Sequence, residues 1–490
     1  MALKLIKLTE EQEKCVQFTP KGELLIRGIP GAGKTTILLE RANYLNKIES
    51  NEGDRNVLFL TFNRALSTYL RQLAKKATTQ TPVEALTFHT WGSQILKEIG
   101  ALNTRNIAGK EQVEMIAYAK RTIAKYGDPT FPNIKAKTPK VTEYQLIKFL
   151  KEEVSWIKNN NMNEREKYLS CARTGRGNQI QVTKLHRESI FDVYEKYQSI
   201  LTSKNAHDFD DIALLLLIHE REIPVDRRPL HVLIDEAQDL SPAQLKVIKL
   251  LAVKSLTIAA DKGQQIYRRS FTWKSVDIDI KGTRSKILNK SFRSTKQIIQ
   301  LAKSLQAHDK TLLNDSEFLP STDPDIKGPV PELSMVSSTA EEKKQLIKKI
   351  KELITEFPTD TIGVIAHSND RLDDIALTLA EVNIAAIKIK SDEADFLTQG
   401  VKLVSFHSSK GLEFDHVIVT GLQEGRLPIK LSDPGDDPDA HVATERRKLY
   451  VAMTRARLTL SLIAVTPISQ FVREMDSNLY KIVLKLREII

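Results

Sequence analysis

The stretch GIPGAGKTT, residues 28–36, constrains the fold more than any other part of the chain. It fits the pattern G-x-x-x-x-G-K-[ST], with Gly28, Gly33, Lys34 and Thr35 at the fixed positions. The glycines let backbone N–H groups close around phosphate oxygens, the lysine reaches the β- and γ-phosphates, and the hydroxyl binds Mg²⁺. The pattern predicts a nucleoside triphosphate site, although a glycine-rich turn can match it by chance.

The surroundings of this loop favour the nucleotide site. Residues 23–28 form an apolar run that predicts a buried strand, and residues 34–45 have helical periodicity. Strand, loop and helix is the order that the motif needs, because the helix N-terminus adds a positive field at the phosphates.

A second segment, HVLIDEAQDL at 231–240, combines an apolar strand with acidic residues. Asp235 at the strand's end suits Mg²⁺ coordination, and Glu236 can orient or deprotonate the attacking water. A strand followed by an acidic helix cap is the alternative, and the phosphate loop argues against it. Arg293 and Arg455 are candidates for neutralising charge on the γ-phosphate. If both reach it, the nucleotide lies between two domains.

The distribution of apolar runs predicts an α/β protein with parallel sheets, because helical stretches lie between many of them. The predicted strands are 23–28, 57–61, 83–87, 231–235, 255–260, 285–289, 361–366, 401–405 and 415–420.

Residues 91–205 differ, since they are polar, mostly helical in pattern and basic, with 20 Lys/Arg against 12 Asp/Glu. We interpret them as a helical insertion in the first sheet domain. Their charge indicates either a phosphate-binding face or a solvated lysine-rich surface.

Bulk properties exclude several classes of protein. A chain of 490 residues is too long for one core. The longest apolar runs, such as 212–218, are far short of a membrane span. Cys15 and Cys171 are too few for a disulfide scaffold or a zinc cage, and the N-terminus lacks a signal peptide's apolar stretch. We therefore expect a cytoplasmic protein without a membrane partner.

Ten ordered segments give the chain a resemblance to the UvrD/Rep/PcrA group of superfamily 1 DNA helicases. They are 8–12 (Q motif), 28–36 (motif I), 58–66 (motif Ia), 87–92 (motif Ib), 208–217 (the segment before motif II), 233–239 (motif II), 260–267 (motif III), 291–295 (motif IV), 401–419 (motif V) and 445–456 (motif VI).

The resemblance implies two RecA-like parallel-sheet P-loop NTPase domains. The expected arrangement is an N-terminal domain of 1–90 plus 205–280, a basic insertion of 91–204 and a C-terminal domain of 281–490. It further implies ATP and Mg²⁺ as cofactors and 3′→5′ movement on single-stranded DNA.

The resemblance also implies roles for individual residues. Gln12 reads adenine, Phe292 stacks on it, and Glu413 contacts the ribose. Gln264 senses the γ-phosphate. Glu236, Gln264, Arg293 and Arg455 form the expected catalytic set, and Thr35 and Asp235 the expected metal ligands. The expected nucleotide contacts are Gln12, Gly28, Gly31, Gly33, Lys34, Thr35, Thr36, Phe292 and Glu413.

A non-specific single-strand track needs basic groups and aromatic faces on which bases stack. Aromatic residues lie in or beside the motifs, and Arg173 and Arg176 flank a glycine in the basic insertion. A core position is the alternative for each aromatic residue. The expected DNA contacts are Phe62, Asn63, His89, Arg173, Arg176, Tyr267, Trp273 and His407, with Phe88 and Phe209 as further aromatic candidates.

The chain departs from the larger members of the group in three places. Residues 361–406 leave no room for the inserted subdomain 2B. Motif III continues as QQIYRRSFTWKS, and 457–475 passes quickly from a strand to a helix, with little space for a strand-separating pin. These departures predict translocation with weak unwinding.

The sequence thus favours an ATP-dependent 3′→5′ translocase or helicase that acts on single-stranded DNA or a tailed duplex. One alternative is the motor subunit of a complex with a partner nuclease, in DNA repair or antiphage defence. A non-catalytic DNA-binding scaffold and an RNA helicase are the others, and the oligomeric state is open.

Overall fold

The computed structural model describes residues 8–49, 56–76, 84–125, 142–173, 176, 182–265, 271–315, 318–389, 395–430 and 437–484. Two parallel sheets with helices between their strands dominate it. The predicted fold class is therefore confirmed.

The first half of the chain contains one sheet and a helical insertion. Its elements are α1 (Glu10–Val16), β1 (Gly22–Gly28), α2 (Lys34–Ile48), β2 (Val57–Thr61), α3 (Arg64–Lys76), β3 (Glu84–Thr87), α4 (Phe88–Glu98), β4 (Arg105–Asn106), α5 (Gly109–Lys125), α6 (Glu143–Asn159), α7 (Arg165–Ser170), α8 (Lys184–Ser203), β5 (Ala206–His207), α9 (Asp211–Ile218), β6 (His231–Ile234), α10 (Pro242–Leu251), β7 (Ser255–Ala260) and β8 (Ser285–Leu288).

The first sheet has the order β3-β2-β6-β7-β1-β8, and every neighbouring pair is parallel. The carboxyl ends of parallel strands meet at one edge, where ligands of open α/β sheets bind. The phosphate loop follows β1 and the Asp235–Glu236 pair follows β6, so both arrive at this edge. Strand β8 lies beyond the expected domain limit of 280 and still belongs to this sheet through its pairing with β1.

The helical insertion has its own core and a narrow neck. The neck is the short parallel pair of β4 and β5, in which Arg105 faces Ala206. Apolar residues of α5 to α8 form a separate cluster that includes Phe149, Ile157 and Tyr197. Helix α4 instead contributes to the core of the first domain. The independently packed insertion therefore begins after β4, later than the expected residue 91.

The second half of the chain forms the other sheet. Its elements are α11 (Lys296–Gln306), α12 (Lys310–Leu313), β9 (Glu332–Val336), α13 (Thr339–Glu356), β10 (Thr361–Ala366), α14 (Asn369–Ala380), β11 (Ala386–Lys388), β12 (Gly400–Ser405), β13 (Phe414–Leu422), α15 (Pro438–Met453), β14 (Ala456–Val465), α16 (Gln470–Glu474) and β15 (Lys481–Leu484).

The second sheet is also parallel throughout, in the order β11-β12-β10-β13-β14-β9-β15. All nine predicted strands are present, with bounds within two residues of the prediction. The expected passage from β14 to a helix occurs at α16, and the chain then returns to the sheet as β15. In the part of the chain that the structure describes, no helix is both long and apolar enough to cross a membrane.

Candidate nucleotide site and strand groove

The phosphate loop between β1 and α2 takes a shape that only glycine accommodates. Gly31 and Gly33 have φ angles of +76° and +81°, in the left-handed region. A Cβ on Gly31 would lie 2.5 Å from Ser291 Oγ, and one on Gly33 would lie 2.6 Å from Gln12 Nε2. The loop is therefore closely packed by α1 on one side and by the second domain on the other.

Lys34 is buried at the centre of this loop. Its Nζ donates to the carbonyls of Gly28 at 2.8 Å and Ile29 at 3.0 Å, and it lies 3.3 Å from Asp261 Oδ2. The carbonyls and the carboxylate hold the ammonium group where the β- and γ-phosphates of a nucleotide would lie.

Gln12 reaches the loop from α1. Its Oε1 accepts from Thr9 N at 3.0 Å, and its Nε2 donates to Ala32 O at 3.0 Å. The C-terminal end of α1 is held by the buried guanidinium of Arg41, whose Nη1 donates to Val16 O at 2.9 Å. Burial lowers the pKa of Arg41 to about 10. Sequence reasoning missed this arginine, because its partners are backbone carbonyls and the hydroxyl of the distant Thr257.

Thr35 and Asp235 are placed as a pair of oxygen ligands. Thr35 Oγ1 donates to Asp235 Oδ2 at 2.6 Å. Burial, followed by the charge of Glu236, raises the pKa of Asp235 to about 6, and the Thr35 hydroxyl and the charge of Lys34 only partly offset this rise. A hydroxyl, one carboxylate and nucleotide phosphates are the kind of ligand set that Mg²⁺ takes. Among the described residues no group of three or more His, Cys, Asp or Glu could hold a metal by itself.

Glu236 is held in an uncommon backbone conformation beside this pair. Its φ of 56° and ψ of 38° are left-handed, which is rare for a residue with a side chain and concentrates at functional sites. Gln238 Nε2 donates to Glu236 Oε2 at 2.6 Å. Burial alone would raise the pKa of Glu236, but the cations Lys410, Lys34 and Arg455 keep it below its ordinary value. The carboxylate is therefore charged and able to accept a proton from water.

The second domain reaches into the first through Lys410, which follows β12. This fully buried lysine pairs with Asp239, lies 3.5 Å from Glu236 Oε2 and donates to Gln264 O at 2.8 Å. Sequence reasoning did not single out Lys410, although it stands in motif V. A cation from one domain thus neutralises acidic side chains of the other.

Gln264 links the two domains through its side chain. Its Nε2 donates to Asp261, and its Oε1 accepts from Arg455 Nη2. Arg455 is also fixed by its Nε, which donates to Val451 O at 2.9 Å. Since Asp261 contacts Lys34, a continuous chain of polar contacts runs from the phosphate loop to motif VI.

The segment of motif IV closes the opposite side of the loop. Phe292 N donates to Gly31 O at 2.8 Å, and the Phe292 ring is 43% exposed in the cleft. Arg293 pairs with Glu413, whose pKa is lowered by Arg293 and Arg457 although burial would raise it. Within the described residues the buried Arg293 Nε has no acceptor, which leaves one donor for a ligand.

The expected nucleotide residues converge on one cleft between the domains. Gly28 lies just behind it, where its carbonyl accepts from Lys34. The residues that line the cleft are Thr9, Gln12, Gly31, Ala32, Gly33, Lys34, Thr35, Thr36, Asp235, Glu236, Gln264, Phe292, Arg293, Gly411, Glu413, Arg455 and Arg457.

A second cleft, which we call the strand groove, lies between the first domain and the neck of the insertion. Phe62, Asn63, His89 and Phe209 line it together with the exposed Lys97. The rings of His89 and Phe209 meet edge to face at 5.4 Å, and Phe209 is 45% exposed. A single-stranded nucleic acid binds where its bases can stack on exposed aromatic faces and its phosphates lie beside basic groups.

Arg173 and Arg176 are held by other side chains of the insertion and are not among the residues that line the strand groove. Arg173 donates to both carboxylate oxygens of the fully buried Glu153, at 2.7 and 2.6 Å, and Arg176 Nε donates to Glu153 Oε2 at 3.0 Å. Both guanidinium groups also lie over the ring of Phe149. These ion pairs with an acid of α6 favour a structural role for the two arginines, and their contact with DNA stays a prediction.

Other expected DNA contacts fall in different places. Trp273 is 7% exposed and packs in the first-domain core against Phe271, so it does not present a stacking face. Phe88 is likewise buried, beside Trp91. His407 is exposed on the loop after β12. Tyr267 lies outside the described residues.

Comparison with known proteins agrees with this geometry. Residues 8–280 match the UvrD/REP helicase N-terminal domain, and residues 379–466 match the UvrD-like helicase C-terminal domain. A probable DNA helicase of Mycoplasma pneumoniae is 25% identical over 93% of this chain and 83% of its own length.

Two longer relatives match with similar identity. DNA helicase IV of Escherichia coli is 24% identical over 89% of this chain, and the ATP-dependent DNA helicase PcrA of Staphylococcus aureus is 27% identical over 64% of it. The matched regions span 65% and 41% of these relatives. The N-terminal match covers more than half of the chain, so the protein belongs to the UvrD/Rep helicase family.

Proposed function

We propose that this protein is an ATP-dependent motor that moves 3′→5′ along single-stranded DNA and hydrolyses ATP between its two sheet domains. The observation that carries the proposal is the shared cleft, where Lys34 and Glu236 of the first domain face Arg455 of the second. A hydrolytic site split between domains ties each turnover to a change in how the domains close.

The side chains of the cleft have complementary tasks. Lys34 binds the β- and γ-phosphates, and Arg293 and Arg455 stabilise the charge that develops on the transferred group. Glu236 orients the attacking water and accepts its proton. Thr35 and Asp235 would hold Mg²⁺, which when bound neutralises charge on the phosphate oxygens.

The strand groove supports DNA as the track. Aromatic stacking on Phe209 and His89 is indifferent to base identity, and Arg64 and Lys97 are exposed for backbone phosphates. Affinity for single strands should fall with salt, by a slope of about −0.7 per neutralised phosphate. The relatives with DNA helicase in their names favour DNA over RNA.

Hydrolysis of ATP, measured with and without single-stranded DNA, tests this proposal. Strong stimulation by DNA is expected for the unaltered chain and for Glu40→Gln, a control at an exposed glutamate of α2. Lys34→Ala should lose turnover and nucleotide binding. Glu236→Gln should bind ATP and stall, because it keeps the shape of the side chain and loses the base. Near-normal turnover of Glu236→Gln would contradict the assigned role, and strand binding without hydrolysis would indicate a scaffold.

The direction of movement along the DNA needs a second measurement. Duplexes with a 3′ or a 5′ single-stranded tail, and the same pair with RNA tails, should show action only from the 3′ DNA tail. We expect fast dye displacement from single strands and weak release of long duplexes, improved by a partner such as a nuclease subunit. Preference for the 5′ tail would refute the direction, and equal action on RNA would refute the substrate.

A further inference from the structure

The connection between β11 and β12 carries one aromatic side chain that is buried on the other domain. Phe396 is 4% exposed although it lies on a loop. Its ring meets Tyr69 of α3 edge to face, with centroids 6.1 Å apart, and its N–H donates to Gln72 Oε1 at 3.0 Å. Tyr69 and Gln72 are three positions apart on one helix, so they lie on the same face. A second-domain loop therefore holds one face of a first-domain helix.

The loop is fixed from its own side as well. Asp395 Oδ1 accepts from the backbone N–H groups of Leu397 and Thr398, both at 3.0 Å. The Asp395 carbonyl accepts from Lys402 Nζ at 2.7 Å, and Lys402 is buried on β12. Phe396 is thus tied to the strand that leads to Lys410 in the nucleotide cleft.

Helix α3 touches both clefts. It begins directly after Asn63 of the strand groove, whose Oδ1 accepts from Leu66 N at 2.8 Å. Leu66 packs so closely on Gly411 that a Cβ there would lie 2.7 Å from it. One turn further on, burial and the nearby charge of Glu413 raise the pKa of Tyr69. The helix therefore connects the groove to residues that line the nucleotide cleft.

We propose that Phe396 is a positioning residue that couples occupancy of the strand groove to ATP hydrolysis by fixing α3 to the second domain. This rests on the proposed function. When single-stranded DNA in the groove shifts α3, Tyr69 moves with the helix. The ring of Phe396 then transmits that shift to β12 and Lys410. Without the ring, less of the shift of α3 reaches the second domain, which still contacts α3 through Leu66 and Gly411. Coupling of this kind is typically about 5–150-fold and reciprocal between two ligands.

ATP turnover of Phe396→Ala, with and without a saturating thymidine homopolymer, is the test. Stimulation by the strand should fall at least about fivefold. Basal turnover, measured at a temperature at which both variants are folded, should match that of Leu377→Ala, a control at an exposed leucine of α14. The thermal midpoint of Phe396→Ala should be lower than that of the control, because a buried ring is lost. The effect of a non-hydrolysable ATP analogue on strand affinity should shrink in parallel. Phe396→Leu keeps most of the apolar contact and should restore much of the stimulation.

A second variant protects the test against misfolding. Gln72→Ala removes the hydrogen bond to Phe396 N but keeps the Phe396 ring, so it should reduce stimulation in the same direction by less. Retained stimulation in both variants, or basal and stimulated rates that fall in proportion, overturns the coupling role. An unaltered chain that does not hydrolyse ATP would instead refute the proposed function.

Discussion

Removing the negative charge of Glu153 should loosen the helical insertion by about 3 kcal/mol. Burial would raise the pKa of this carboxyl, but Arg173 and Arg176 lower it from 4.5 to about 2. Each pKa unit corresponds to about 1.36 kcal/mol, so this lowering of the pKa corresponds to about 3 kcal/mol of stability. Glu153→Gln keeps the volume of the side chain and leaves two buried guanidinium groups uncompensated, a change that typically costs about 3–5 kcal/mol.

The effect should depend on pH in a defined direction. A carboxyl with a lowered pKa contributes stability that is fully present above its unfolded-state value of 4.5 and is lost as the pH falls toward about 2. The unaltered chain should therefore lose the stability of its insertion across this window, and Glu153→Gln should lack that part of the pH dependence.

Hydrogen exchange of peptides from α6 and α8 measures the local opening directly. A loss of about 3 kcal/mol accelerates exchange roughly 10²-fold where it proceeds by opening of the insertion. Peptides from β10 and β12 should be unaffected. Glu166→Gln, at an exposed glutamate of α7, provides a matched control.

The outcome separates two roles for the arginines. If exchange in the insertion is unchanged and Glu153→Gln instead alters the salt dependence of strand binding, the structural assignment of Arg173 and Arg176 is wrong. Their side chains would then be free enough to meet phosphates.

Other predictions concern the two clefts. Arg455→Ala should slow ATP turnover by about 10³–10⁵ with little change in ATP affinity, measured by single-turnover kinetics and nucleotide titration; equal losses in both would make it a ground-state or structural residue. Phe209→Ala should weaken strand binding by about 1–3 kcal/mol in a fluorescence titration, without a change in thermal midpoint. Trp273→Ala should show the reverse pattern, a loss of about 3–5 kcal/mol of stability, and weakened strand binding at full stability would contradict its core position.

The nucleotide cleft could be predicted from the sequence because its parts lie at fixed offsets from strand ends. An apolar run followed by glycines and Lys34 specifies both the strand and the loop, and Asp235 likewise comes directly after β6. In parallel sheets these ends meet at one edge, so local patterns imply a three-dimensional arrangement.

Contacts between segments that are distant in the sequence could not be predicted from such local patterns. Arg173 is 20 residues from Glu153, and only the packing of α6 shows that the pair is buried. Trp273 stands among basic residues in the sequence, yet its ring turns toward the core. Strand β9 was missed because it follows a proline-rich loop, and β15 because all four of its side chains are exposed.

The side chain of Lys410 lies close to both the strand groove and the nucleotide cleft. Its Nζ lies 5.9 Å from the centroid of the Phe62 ring in the strand groove and 3.5 Å from Glu236 Oε2 in the nucleotide cleft. A fully buried ammonium group interacts with nearby charges more strongly than one in water, and it is costly to leave unpaired. If the proposed function holds, a base that displaces the ring of Phe62 and a phosphate that changes the charge beside Glu236 act on the same cation. Because Lys410 belongs to the second domain and both partners belong to the first, either event would then alter how firmly the domains are held together.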